Sequence, residues 1–161
     1  MATNDNIKGW ELILAQYPDL PTETKQEIQH LIDKMKLQIN QNVNIVEDDI
    51  DSSFTQLLFP KNVVILINER CASTTEQFLL EARQSKKVTL MGQNTQGTLD
   101  YSNLRESDFC EMPYKLYTPT TRSRRIDIGE GIDGIGIKPN IYLTDKQNWI
   151  QEALKFLNNN N

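Results

Sequence analysis

The chain has 161 residues, 38% of them hydrophobic, which is enough for one domain with a real core. Its formal net charge of −5 argues against a nucleic-acid binder, which carries a basic face. No run approaches the roughly 18 apolar residues of a membrane span, and a charged-then-apolar signal sequence is missing from the N-terminus.

Ile7, Trp10, Leu14 and Tyr17 fall at helical spacing. After the break at Pro18-Asp19-Leu20, Pro21 opens a second predicted helix to about residue 40, with an apolar stripe of Ile28, Leu31, Ile32, Met35 and Ile39. His30, the only histidine, falls off that stripe and reads as a solvated surface residue. Both helices read as packing elements. Residues 42–53 are polar and acidic around a short Val43-Asn44-Ile45-Val46 alternation, which suits an edge strand or a loop.

At residues 63–68 the character changes. Val63-Val64-Ile65-Leu66-Ile67-Asn68 has no polar alternation before Asn68, so it is expected to be an inner strand covered on both faces, in a largely parallel sheet flanked by helices. A helix follows from about Thr74 to Arg83, with Ser73 at the junction. Ser73-x-x-Glu76 is a capping box, in which the serine bonds the N3 amide and the glutamate reaches back. The same position suits a nucleophile, since a side chain at a strand-to-helix turn stands clear of the sheet while free helix-start amides stabilise an oxyanion. Cys71 reads as a small apolar residue at the strand end. Cys71 and Cys110, with one histidine, offer neither a disulfide framework nor a zinc set, and no metal or cofactor is expected.

A second strand, Val88-Thr89-Leu90-Met91, leads into Gly92-Gln93-Asn94-Thr95-Gln96-Gly97. Residues 109–117 and 125–128 alternate apolar and polar residues and are expected to form a hairpin. Arg122, Arg124 and Arg125 read as the solvated side of a strand or loop. Gly129-x-Gly131-x-x-Gly134 matches a dinucleotide fingerprint letter by letter, but Ile135-Gly136-Ile137-Lys138-Pro139 cannot supply the helix that fingerprint needs, so a glycine-rich turn is expected. Thr144-x-x-Gln147 is expected to cap a last helix with Ile150, Ala153, Leu154 and Leu157 on one side, ending in a frayed tail.

Three segments, Ser73-x-x-Glu76, Gly92-x-x-Thr95-x-Gly97 and Gly134-Ile135-Gly136-Ile137-Lys138-Pro139-Asn140, make residues 62–143 resemble the tail-specific, or C-terminal-processing, serine peptidases and their tricorn-protease relatives. The resemblance implies an α/β, ClpP/crotonase-like sheet flanked by helices. It implies a single domain over 1–161, in which 1–61 is a helical and edge region, 62–143 the peptidase-like core and 144–161 a terminal helix. It makes Ser73 the nucleophile and the Thr74 backbone amide an oxyanion donor. Thr98 stands where the processing branch has its general-base lysine and cannot serve as a base. Asp133 matches the late acidic residue of the tricorn-like branch, with Glu130 close by as an alternative. Ser73, Asp133 and the 92–98 turn are expected around one cleft, the alternative being that Asp133 only stabilises its own turn by bonding nearby amides.

The family's upstream histidine and Asp-Leu-Arg-Gly-Asn-Gly-Gly segment have no match here. The chain therefore resembles the C-terminal half of a peptidase domain, whose partners would be a peptide or protein substrate and the N-terminal part of its own domain. Bacterial relatives are commonly exported. Two other classes stay open: a non-catalytic binding domain that kept the fold, and a crotonase-like acyl enzyme.

Overall fold

The computed structural model describes residues 1–45, 55, 57–108, 110 and 112–160, which fall into two compact units, Met1–Phe54 and Thr55–Asn161. In the first unit, helix α1 (Asn4–Gln16) starts at Thr3, whose hydroxyl accepts the Asn6 amide at 3.1 Å. Helix α2 (Thr22–Leu37) follows Pro21, which occupies its N-cap. The expected stripes meet: Ile7 of α1 and Ile28, Leu31, Ile32 and Met35 of α2 are buried together with Ala2, while Trp10, Ile13 and Leu14 pack against them. Ile39, expected on the stripe, lies beyond the end of α2 and is exposed. His30 is exposed on α2. Val43 to Ile45 form no strand, and Val46 with residues 47–53 lies outside the described residues.

The second unit is an α/β arrangement around a parallel sheet. Strands β1 (Val63–Ile67), β2 (Val88–Gly92) and β5 (Ile141–Tyr142) lie in the order β1-β2-β5, with Val63 opposite Val88, Ile67 opposite Gly92 and Met91 opposite Ile141. Helix α3 (Thr74–Ala82) connects β1 to β2, and helix α4 (Trp149–Asn159) follows β5. Side chains alternate across the pleat. Ile65, Ile67 and Leu90 join Leu79 and Leu80 of α3 in one core, whereas Val64, Met91 and Ile141 join Trp149, Ala153 and Phe156 of α4 in the other. Both faces are covered, as the unbroken apolar run predicts.

Four expectations need correction. β1 is not an inner strand: among the described residues it forms the sheet edge, β2 is central, and Leu66 is 37% exposed. Apolar faces reveal cover above and below a strand, not neighbours beside it. The hairpin pairs β3 (Tyr101–Asp108) with β4 (Lys115–Arg122), antiparallel, rather than 109–117 with 125–128. Its residues are mostly exposed, so no burial pattern marks them, and Phe109 and Glu111 lie outside the described residues. Arg124–Ile128 is a 3-10 helix capped by the Ser123 hydroxyl. Finally, α4 is capped by Asn148, which accepts the Gln151 amide at 3.2 Å; the Thr144 amide and hydroxyl do bond Gln147 Oε1, at 2.7 and 3.0 Å, but in the turn before the helix. Two competing N-cap signals four residues apart are indistinguishable by composition.

α4 consequently packs through Trp149, Ala153 and Phe156, leaving Ile150 and Leu154 exposed. Leu90→Ala is expected to lower unfolding free energy by about 2–5 kcal/mol, since it empties a fully packed site in the central strand. Ile150→Ala should stay within about 0.5 kcal/mol. Urea titrations of the two variants check both.

Candidate active site

The chain leaves β1 through a tight turn. Asn68 Oδ1 accepts the Arg70 amide at 3.0 Å, and the Asn68 carbonyl accepts the Cys71 amide at 3.0 Å. The turn ends at Ser73, with φ 51° and ψ −117°, immediately before α3. That combination is costly for a residue with a Cβ, of order 1–3 kcal/mol. A serine strained on a strand-to-helix turn, with its side chain exposed, is the geometry of a nucleophile elbow. Thr74, also exposed, opens α3, where first-turn amides lack intrahelical acceptors.

Glu76 does far more than cap. It is 0% exposed, and its carboxylate collects four donors. Oε2 accepts the Ser73 amide at 3.0 Å and the Thr98 amide at 2.9 Å; Oε1 accepts the Thr95 hydroxyl at 2.5 Å and the Gly97 amide at 2.7 Å. Burial works to raise the Glu76 carboxyl, but the bonds from Thr95, Thr98, Gly97 and Ser73 outweigh it and hold the group below its ordinary value.

The network continues into the third segment. Thr95 Oγ1, while donating to Glu76, accepts the Ile137 amide at 2.7 Å, and the Gly97 carbonyl accepts the Gly134 amide at 2.9 Å. Backbones approach closely here. A Cβ at Gly136 would lie 2.0 Å from the Thr95 carbonyl oxygen, and one at Gly97 would lie 2.5 Å from that of Ile132; both residues have positive φ. The three sequence segments are thus one hydrogen-bonded assembly.

Asp133 joins it from the other side. Its Oδ1 accepts the amides of Leu99 and Asp100, each at 2.7 Å, while Asp100 Oδ2 accepts the amides of Ile132 and of Asp133, the latter at 2.9 Å. Two chain segments therefore clasp reciprocally, each aspartate holding the other's backbone. Asp100 is 1% exposed and its Oδ1 pairs with Arg125 at 3.1 Å, so Arg125 is not a solvated residue as expected: it neutralises a buried carboxylate. Arg122 pairs with Asp127 at 2.8 Å.

Ser73, Thr98 and Asp133 are thus tied to one short stretch of chain. Ser73 and Thr98 share Glu76, and the two residues after Thr98 are held by Asp133. Glu130 lies in the turn after the 3-10 helix, its amide bonded to the Arg125 carbonyl at 2.8 Å. His30 belongs to the other unit and Cys71 is half-buried at the elbow. Sequence reasoning gives Glu76 no role beyond the cap and Thr95 none beyond its place in the Gly-x-x-Thr-x-Gly segment, and it passes over Asp100. The Gly-x-x-Thr-x-Gly spacing signals Thr95; nothing local marks Asp100. No group of His, Cys, Asp and Glu able to hold a metal ion occurs among the described residues.

Because the folded-state Glu76 carboxyl sits below its ordinary value of 4.5, the stability it contributes is fully present above that value. It is lost as pH falls through the lower folded value. Unfolding measured from pH 7 down to pH 2 should show this loss, and Glu76→Ala should flatten it. That variant should also be destabilised by about 3 kcal/mol or more at neutral pH, because buried donors left unpaired cost about 1–3 kcal/mol each. Gly136→Ala should be comparably damaging in the same measurement.

The mature form of the protein CPAF, solved with lactacystin, superposes on 98% of this chain with 15% identity and a TM-score of 0.53, and 35% of the CPAF chain is covered. The photosystem II D1 C-terminal processing protease is 22% identical over 53% of this chain and 21% of its own, with a TM-score of 0.39. The chain thus spans about a third or less of the length of these structures. No curated protein matches it. Among the described residues no helix is long and apolar enough to cross a membrane. The model of peptidase family S41 matches residues 14–143, and with the elbow, the turn and the glycine segment all inside that span, the chain belongs to peptidase family S41.

Proposed function

We propose that this chain is the C-terminal part of a serine endopeptidase of the tail-specific, C-terminal-processing kind, closer to the tricorn-like than to the Ser-Lys branch. The observation that carries the reading is the strained, exposed Ser73 at φ 51° and ψ −117° on a strand-to-helix turn. A helix cap needs no such strain, since N-caps ordinarily lie in the extended region. In this reading Ser73 Oγ attacks the substrate carbonyl carbon as a base takes its proton. The Thr74 amide stabilises the oxyanion, and the proton then passes to the leaving amine.

The base comes from elsewhere. Thr98 occupies the lysine position and cannot accept the proton at neutral pH. Glu76 is nearby, but four donors saturate it and its lowered pKa makes it a poor acceptor. The N-terminal part of the same peptidase domain is the partner that supplies the base and a second oxyanion donor, and Asp133 is the acidic group that orients that base. Asp133 Oδ1 is occupied by amides, which fixes the carboxylate in place for such a role. Export, common among bacterial relatives, belongs to this reading.

A second reading, a binding domain that retains the fold without cleaving peptides, draws on the Thr98 replacement. Peptide hydrolysis discriminates them. The chain alone should cleave an unstructured peptide about 10²- to 10⁴-fold more slowly than an ordinary peptidase, because a general base typically contributes that factor. Joined to the upstream half of an S41 peptidase domain, it should gain hydrolysis that Ser73→Ala abolishes. Hydrolysis by the chain alone at an ordinary rate, or a joined protein insensitive to Ser73→Ala, would count against the proposal.

A further inference from the structure

The residue that decides whether Ser73 can work is three positions away. We propose that Glu76 is the positioning residue of the Ser73 elbow, holding the serine backbone in its strained conformation and locking it against the turn at residues 95–98. This rests on Ser73 being the nucleophile and assigns Glu76 a role that a helix cap does not have.

Geometry carries the argument. A capping glutamate returns one bond, to the N-cap amide, and otherwise faces solvent. Glu76 makes that bond and then three more, to groups 19 to 22 residues further along the chain, with none of its surface exposed. Every partner is a donor. Only the ionised carboxylate accepts all four, since a protonated acid or an amide would turn a donor of its own toward an N–H. The Ser73 and Thr98 amides share one oxygen, and the Gln96 amide bonds the Cys71 carbonyl at 2.9 Å, so a displacement of the turn is transmitted to the elbow. Strain of this kind persists only where surrounding bonds over-determine it, and Glu76 is where they converge.

Two outcomes of replacing Glu76 by glutamine oppose each other in sign. Deleting a negative charge beside residue 73 makes an anion there easier to form. Losing the elbow makes it harder, because the side chain leaves the helix-start amides that favour negative charge. A cysteine reporter reads the sign. In the full chain carrying Ser73→Cys, Cys71→Ser and Cys110→Ser, the pH dependence of iodoacetamide alkylation reports the thiol at position 73, which a helix N-terminus lowers.

With Glu76→Gln added, the alkylation midpoint should move up and the rate at neutral pH should fall about tenfold. Leu79→Ala, which loosens the packing of the same helix without touching the network, should leave the midpoint in place. If Glu76→Gln does not fold, Thr95→Val, which deletes one of the four donors, should give a smaller change in the same direction. A midpoint that stays put or moves down in Glu76→Gln, or that moves equally in Leu79→Ala, overturns the proposal, as does an unmoved midpoint in Thr95→Val where that is the variant available. The alkylation reading needs no peptidase activity, so it separates from the hydrolysis test: a joined protein that fails to cleave peptides removes the nucleophile reading and leaves the Glu76 geometry measured.

Discussion

A single buried carboxylate with no counter-ion among its direct partners organises this protein. Glu76 lies at 0% exposure with four hydrogen-bond donors around it, and hydrogen bonding prevails over burial in setting its charge. An ion in such a place has to be satisfied by dipoles that cannot move away, and those dipoles come from two separate parts of the chain. The amide of an elbow, the amides of a glycine turn and a threonine hydroxyl are all fixed by the same two oxygens. The requirement is mutual: Glu76 ties the turn to α3 and to the elbow, beside the bond from the Gln96 amide to the Cys71 carbonyl and the packing of Leu99 and Ile137 against Leu79 and Leu80.

The second carboxylate, Asp100, repeats the principle with a cation added. Arg125 compensates its charge, and its remaining oxygen takes two amides of the glycine-rich turn, while Asp133 returns the bond. Between Thr95 and Asp100 almost every backbone donor is therefore held by a carboxylate or by the facing segment. A stretch without regular secondary structure is made rigid by side chains, and rigidity of that kind is what a reacting group needs from its surroundings.

Much of this was legible in the chain. The apolar run at residues 63–67, the Ser-x-x-Glu start of α3 and the β-branched start of β2 are local signals, and each element stands where its signal lies. What could not be read is non-local or unburied. Strand order depends on which edges meet, so β1 was expected inside the sheet and lies at its edge. The β3–β4 hairpin is formed by sequences such as Ser102-Asn103-Leu104-Arg105-Glu106-Ser107, whose exposure on both faces leaves no alternation to find. The choice between Thr144 and Asn148 as cap depended on where Trp149 could pack, and its ring closes on Gly92. Of the candidate site, Ser73 and the glycines carry local signals, whereas the partners of Glu76 and Asp100 are fixed only once the fold has brought distant segments together.

The position of β1 has a further consequence for how the molecule behaves in solution. A parallel strand of five apolar residues, Val63 to Ile67, with one row of peptide groups unpaired among the described residues, offers a template for any extended chain that meets it. It carries none of the usual deterrents, neither a lysine, a proline nor a bulge, within its length. The net charge of −5 is no local guard for such an edge, since its repulsion is spread over the molecule and screened by salt. A charge on the Leu66 side would blunt it while leaving the opposite side, with buried Ile67 and partly buried Ile65, undisturbed.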